Sequence, residues 1–147
     1  MSSFVNQNHA RPGGYDKVIA EIAKKKLCPF CPEHLVEFHK LPIVEREFWL
    51  ITDNQFPYKP SKWNKLIIHR VHIQHFSEIS PLAWKELGEI IQEQTRALNM
   101  AGGSFFMRFG ETKFTGASVS HLHCQLLQSN PDDPEYDPAK GIFTRLG

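Results

Sequence analysis

Three polar side chains, His121, His123 and Gln125, alternate with the apolar Leu122, Cys124 and Leu126 in the run from Ser118 to Leu127. Imidazole is the side chain that can ligate a metal, carry a proton or attack an electrophile near neutral pH. A carboxamide offers hydrogen bonds of fixed character and no proton. Far upstream, Cys28 and Cys31 form a C-x-x-C, a spacing that lets two thiolates turn toward one tetrahedral Zn²⁺. The redox alternative for such a pair calls for a strand before it and a helix start after it. Here a helical pattern precedes it and Pro32 hinders a helix from continuing through it, so the metal reading is preferred. His34 is the nearest imidazole and a possible third ligand.

Leu122, Cys124 and Leu126 alternate with His121, His123 and Gln125, which predicts a β-strand with one apolar and one polar face. Like positions on that polar face lie roughly 6.5 to 7 Å apart. That separation gives each histidine its own task beside one ligand. A polar edge strand with incidental histidines is the alternative, and the Gly116-Ala117-Ser118 turn together with the distant cysteine pair weighs against it.

The remaining elements follow in order. Tyr15, Val18, Ile19, Ile22 and Ala23 predict an amphipathic helix over 15–26, with Lys24, Lys25 and Lys26 in its last turn, where cations suit the helix dipole. A strand is expected over 43–51, then a loop through Asn54-Gln55-Phe56-Pro57 to Pro60, and a short strand over 65–69. Ser80 as N-cap and Pro81 at the first helical position start the long helix of the domain, with Leu82, Trp84, Leu87, Ile90, Ile91 and Leu98 as its core face. A strand over 104–109 and a loop over 110–116 lead into the histidine strand as its antiparallel neighbour. One domain over 15–128 is expected, between a flexible or loosely docked N-terminus (1–14), to which no function is assigned, and a proline-rich tail (129–147) crossing the surface, anchored by Ile142 and Phe143.

Among the 147 residues, 17 basic and 16 acidic side chains leave a formal charge of +1. No global field favours nucleic acid or an anionic membrane, and neither partner is expected. Eleven Phe supply core material, and three cysteines argue against a disulfide framework. Residues 1–14 hold no apolar signal region, so a cytoplasmic protein is expected.

Taken together these residues resemble the histidine triad superfamily, and more closely its H-x-H-x-Q branch, which includes galactose-1-phosphate uridylyltransferase and dinucleoside polyphosphate phosphorylases. The resemblance runs from about Cys28 to Leu127. It is carried by Gly116-Ala117-Ser118-Val119-Ser120-His121-Leu122-His123-Cys124-Gln125, by Leu66-Ile67-Ile68-His69-Arg70-Val71-His72, similar to the family's apolar strand ending in a histidine, and by Asn54-Gln55-Phe56-Pro57, similar to its ribose-side loop.

The resemblance implies an α+β fold: an antiparallel sheet of about five strands, one long helix packed on it, and a zinc knuckle near the N-terminus. It also implies a homodimer. Carried over residue by residue, the zinc ligands are Cys28, Cys31, His72 and His121, with His34 as fallback, and four protein ligands make the zinc structural. His123 is then the nucleophile that attacks the α-phosphorus of a nucleotide and forms a nucleotidyl-histidine intermediate. Ser118 and Gln125 match phosphate-contacting positions, and Asn54 matches a substrate-binding one. The chain departs from the pattern at Gly110, where most relatives have Asn, at Asn64, where hydrolases commonly have His, and at His69, which stands for their proline. The implied activity is nucleotidyl transfer, or hydrolysis or phosphorolysis of dinucleoside polyphosphates. Phosphoramidate hydrolysis, a catalytic metal site built from His72, His121 and His123, and a nucleotide-binding module without turnover are the competing readings.

Overall fold

The structure is a computed structural model that describes residues 3–147. Its frame is a five-stranded antiparallel sheet in the order β1-β2-β3-β5-β4, formed by β1 (Ile43–Glu45), β2 (Trp49–Asp53), β3 (Ser61–His69), β4 (Ser104–Met107) and β5 (His123–Ser129). Helix α1 spans Tyr15–Lys25, α2 Pro32–Phe38, α3 Pro81–Ala97 and the one-turn α4 Thr112–Thr115.

The two faces of the sheet have separate work. Trp49, Ile51, Ile67, Leu122 and Cys124 point to one side and pack with Ala83, Leu87 and Ile90 of α3. Trp49 Nε1 also donates to the Ala83 carbonyl at 2.8 Å, so the indole's polar edge is satisfied inside this core. Leu50, Leu66 and Ile68 point to the other side, against Leu35 of α2 and Phe30, and α1 joins that side through a cluster of Ile19, Ile22, Val5 and Val119. Because β5 alternates, its even positions feed the α3 core and its odd positions, His123 and Gln125, enter the opposite layer.

Four expectations are corrected. The strand over 43–51 is a hairpin, because the Glu86 carboxylate on α3 accepts from the backbone N–H groups of Glu47 (3.1 Å) and Phe48 (2.7 Å) and holds a turn between β1 and β2. Pro32 does not stop a helix but begins one: it occupies the first position of α2 with Cys31 as N-cap, where its missing N–H has no intrahelical partner to lose. The core face of α3 keeps the expected Leu87, Ile90 and Ile91 but not Leu82 (64% exposed) and Trp84 (40%), whose place is taken by the buried Ala83. Finally, β5 begins only at His123, with His121 in the loop before it, and the polar side chains of this run are as buried as its apolar ones.

The Ser80 hydroxyl does cap α3, accepting from the Ala83 N–H at 3.1 Å. Residues before α1 lie against the loop leading into β5: Val5 pairs with Val119, and the Asn6 N–H donates to the Ser118 carbonyl at 2.8 Å. In the tail, Thr144 and Arg145 make the anchoring bonds, Thr144 Oγ1 to Tyr58 Oη at 3.0 Å and the Arg145 carbonyl to Arg108 Nη1 at 2.9 Å, whereas Phe143 is 79% exposed. The tail passes so close to Gly116 (φ +72°) that a Cβ there would lie 2.7 Å from the Arg145 carbonyl oxygen. Among the described residues no helix is long and apolar enough to cross a membrane.

Candidate functional site

Two constellations meet at the start of β5. The first unites Cys28 and Cys31, from the turn between α1 and α2, with His72, just beyond β3, and His121; their four ligand atoms all lie within 4.8 Å of one another. Cys28 Sγ is 3.4 Å from His121 Nδ1, Cys31 Sγ is 3.5 Å from His72 Nδ1, and Cys31 Sγ is 3.7 Å from His121 Nδ1. Zinc bond lengths in a regular tetrahedron require S···N edges of about 3.6 Å, so the donor set fits one tetrahedral ion. The imidazole's protonation state agrees. Burial holds the His121 imidazole neutral, with a pKa down to about 3, and its Nε2–H donates to the His69 carbonyl at 2.5 Å, which leaves the Nδ1 lone pair facing the sulfurs. Burial also raises the Cys28 thiol, and burial with Cys28 alongside raises Cys31 to about 12. Two thiolates there need a cation beside them. His34 stays outside the cluster, its Nδ1 donating to the Cys28 carbonyl at 3.1 Å.

The second constellation opens into a cavity of about 420 Å³ between β3, β5, α1 and α2. Of the expected catalytic and substrate residues, His123, Gln125, Ser118 and Asn54 all line it. His123 Nδ1 donates to the His121 carbonyl at 2.7 Å. Its Nε2 has no partner among the described residues and is not sealed from the cavity. Burial, opposed by that backbone bond, lowers the His123 pKa to about 4, with the Arg108 charge adding to the shift. The imidazole is therefore neutral, with one nitrogen fixed as donor and the other carrying the lone pair. Phe30 packs edge-on against it with ring centroids 4.9 Å apart.

Gln125 is oriented just as firmly. Its Oε1 accepts from Asn54 Nδ2 at 3.1 Å and from Asn64 Nδ2 at 2.9 Å, and Asn64 Oδ1 in turn accepts from the Tyr58 N–H at 2.9 Å. With its oxygen committed twice, the carboxamide presents only N–H to the cavity. Ser118 Oγ lies 2.5 Å from Tyr15 Oη, a phenol whose pKa burial raises against the opposing effect of that bond.

Several cavity residues carried no signal in the sequence. Arg11 and Arg108 come from segments 97 positions apart, and neither pattern nor motif marks them. Asn64 appears in the sequence as a departure, whereas here it holds Gln125. Gly110 does not line the cavity. The lining has two characters: Val18, Ile19, Ile22, Leu35 and Phe38 form an apolar wall, and the arginines with Ser118, His123 and Gln125 form a wall of cations and donors, with no Asp or Glu among the described lining residues.

No protein-family model and no curated protein matches the chain. Solved structures do. A zinc-bound histidine triad family protein from Mycobacterium smegmatis shares 20% identity over 76% of this chain and 83% of its own, with a TM-score of 0.55. A HIT family hydrolase from Clostridium thermocellum shares 22% over 80% of this chain and 94% of its own, at 0.52. A hypothetical histidine triad nucleotide-binding protein from Sulfolobus tokodaii shares 19% over 72% and 71%, at 0.56. In its five-stranded sheet and long helix the chain shares the fold of these histidine triad proteins.

Proposed function

We propose that the chain is a nucleotide-binding enzyme that acts at the α-phosphate through a nucleotidyl-histidine intermediate. The observation that carries this reading is the orientation of His123, whose Nδ1–H is held by the His121 carbonyl while Nε2 is left with a free lone pair in a cavity that also holds Ser118 and Gln125. Nε2 attacks the α-phosphorus, and the bond from phosphorus to the leaving oxygen breaks with its electron pair departing on that oxygen. Donors from Ser118 and from the Gln125 amide meet the charge gathering on the phosphoryl oxygens. In the second half, water or orthophosphate attacks phosphorus, the N–P bond breaks, the lone pair returns to Nε2 and the attacking group's proton passes to solvent. The apolar wall from α1 and α2 is suited to a base. Cys28, Cys31, His72 and His121 would hold a structural zinc, whose chemistry is to tie the α1–α2 turn to β3 and β5 and to take no part in the displacement.

Gln125 sets the leaving group. It has no proton to release near neutral pH, and no Asp or Glu is among the described lining residues, so an amine, which must be protonated to depart, finds no acid at this position and is disfavoured against pyrophosphate-like or sugar-phosphate anions. The test is kcat/KM for diadenosine tetraphosphate against adenosine phosphoramidate. The anhydride is expected to be the better substrate, and Gln125→His should raise the relative rate on the phosphoramidate. A clear advantage for the phosphoramidate in the unaltered protein overturns the assignment.

A further inference from the structure

We propose that Arg11 and Arg108, bracketing Tyr58, form a seat for a second anionic group beyond the α-phosphate and thereby select substrates by the charge of the part that leaves. This rests on the reading of the cavity as a nucleotide site. The Arg11 guanidinium lies 3.9 Å above the Tyr58 ring centroid and donates to the carbonyls of Phe56 (2.6 Å) and Pro57 (3.3 Å). Arg108 donates from Nη1 to the carbonyls of Gly116 (3.3 Å) and Arg145 (2.9 Å), and from Nη2 to Tyr58 Oη at 3.4 Å. Thus one tyrosine fixes both cations, one over its face and one at its hydroxyl.

These partners orient the guanidinium groups without neutralising them. Neither arginine forms an ion pair among the described residues, although the chain pairs Arg46 and Arg70 with glutamates at its surface. No carboxylate is among the described residues that line the cavity. A guanidinium has five N–H donors in a planar fork, so two of them on Arg108 and three on Arg11 stay uncommitted after the bonds above. Carbonyls that leave part of the fork free, in a cavity without counter-charge, describe a receptor for an anion. One phosphoryl centre already has Ser118 and Gln125 beside His123. Two further cations are in excess of what it needs, and a β-phosphate or a sugar phosphate supplies the missing charge.

The experiment is equilibrium binding of AMP, of adenosine 5′-(α,β-methylene)diphosphate, which resists cleavage, and of inorganic pyrophosphate, in the full chain and in Arg11→Met, Arg108→Met and Arg108→Lys. Thermal melts and metal content verify that each variant is folded. The unaltered protein is expected to bind the diphosphate analogue about tenfold or more tighter than AMP. Either Met variant should bring the two ligands within about threefold of each other while AMP affinity itself changes by less than about threefold, and Arg108→Lys should recover part of the preference. An arginine that only braces the tail or the 56–57 loop would weaken both ligands alike. That outcome, or no preference in the unaltered protein, overturns the proposal. If neither nucleotide binds, the nucleotide reading fails, and pyrophosphate decides the seat: binding lost in Arg11→Met sustains an anion site, and absence of binding removes it.

Discussion

At the Cys₂His₂ cluster the chain's polar groups answer one another: the His121 ring is held between two sulfurs and the His69 carbonyl, and His72 lies against Cys31. Two residues further on, the cavity holds groups that the protein orients and then leaves free. His123 keeps one nitrogen unpartnered, Gln125 keeps its amide N–H, and two arginines keep part of their forks. The link between the regions is one residue, His121, whose ring belongs to the cluster and whose carbonyl fixes the tautomer of His123. The comparison separates two uses of buried polarity: closed on itself, it ties distant segments together, and left open beside a rigid support, it is available for chemistry.

The largest effect expected on this division comes from the closed region. Metal analysis should find one zinc per chain, and the Cys28→Ser, Cys31→Ser double variant should lose it. Structural zinc contributes on the order of 10 kcal/mol of binding free energy in small domains, comparable with the whole stability of an ordinary domain, about 5–15 kcal/mol. The double variant should therefore be largely unfolded in a denaturant titration at room temperature. A wild-type midpoint would show the cluster to be dispensable.

Next comes the open region, where variants should spare the fold. On the proposed nucleotidyl-histidine reading, His123→Ala should abolish turnover while keeping zinc content, melting temperature and nucleotide affinity within about tenfold, because that reading gives the imidazole the covalent step and only part of the binding. Ser118→Ala should be milder, with a rate loss on the order of 10² to 10³. Wild-type activity in His123→Ala, or loss of zinc along with activity, would erase the boundary between the regions.

The smallest effect lies at His39, which lines the cavity but is bonded like the closed region. The Thr52 hydroxyl donates to the Pro42 carbonyl at 2.7 Å, so its oxygen accepts from His39 Nε2–H at 2.6 Å. Burial lowers the His39 pKa below its ordinary value, with the Asp53 charge acting in the opposite sense. A histidine depressed in the folded state contributes stability that is full above the unfolded pKa, about 6.5, and is lost as pH falls through the folded value. His39→Gln keeps a donor for Thr52 and removes the titration. Its urea midpoint should fall less than that of the unaltered protein between about pH 7 and about pH 5, and parallel slopes would exclude His39 from the acid response.

Where local chemistry decided structure, the sequence was readable. Ser80-Pro81 marked the start of α3, the alternation around His123 and Gln125 marked their shared face, and the C-x-x-C marked half of a tetrahedral site. Readings failed where a distant group intervened. The hairpin at 46–48 depends on Glu86, a residue of another element, and no local pattern announces it. Pro32 is a breaker within a helix and a starter at its first position, and the two cannot be told apart until the chain before it is placed. On α3 the small Ala83, not its larger neighbours Leu82 and Trp84, meets the core, where Trp49 reaches its carbonyl, a tertiary contact. The same reasoning covers the arginines: Arg11 and Arg108 share a wall through contacts between distant segments, and both reach Tyr58.

Strand β5 is also a partition, with core on one side and cavity on the other. On its core side such a wall tolerates exchange of one apolar side chain for another of like volume. It does not tolerate a change in reading position. Removing a single residue between Ser120 and His123 would shift the alternation by one step and exchange the occupants of the two layers: Leu122 or Cys124 would face the arginines, and an imidazole would be pressed among Trp49, Ile67 and Leu87. For descendants of this chain the segment from His121 to Gln125 should therefore hold its length, with exchange of letters confined to its core-facing positions, Leu122 and Cys124.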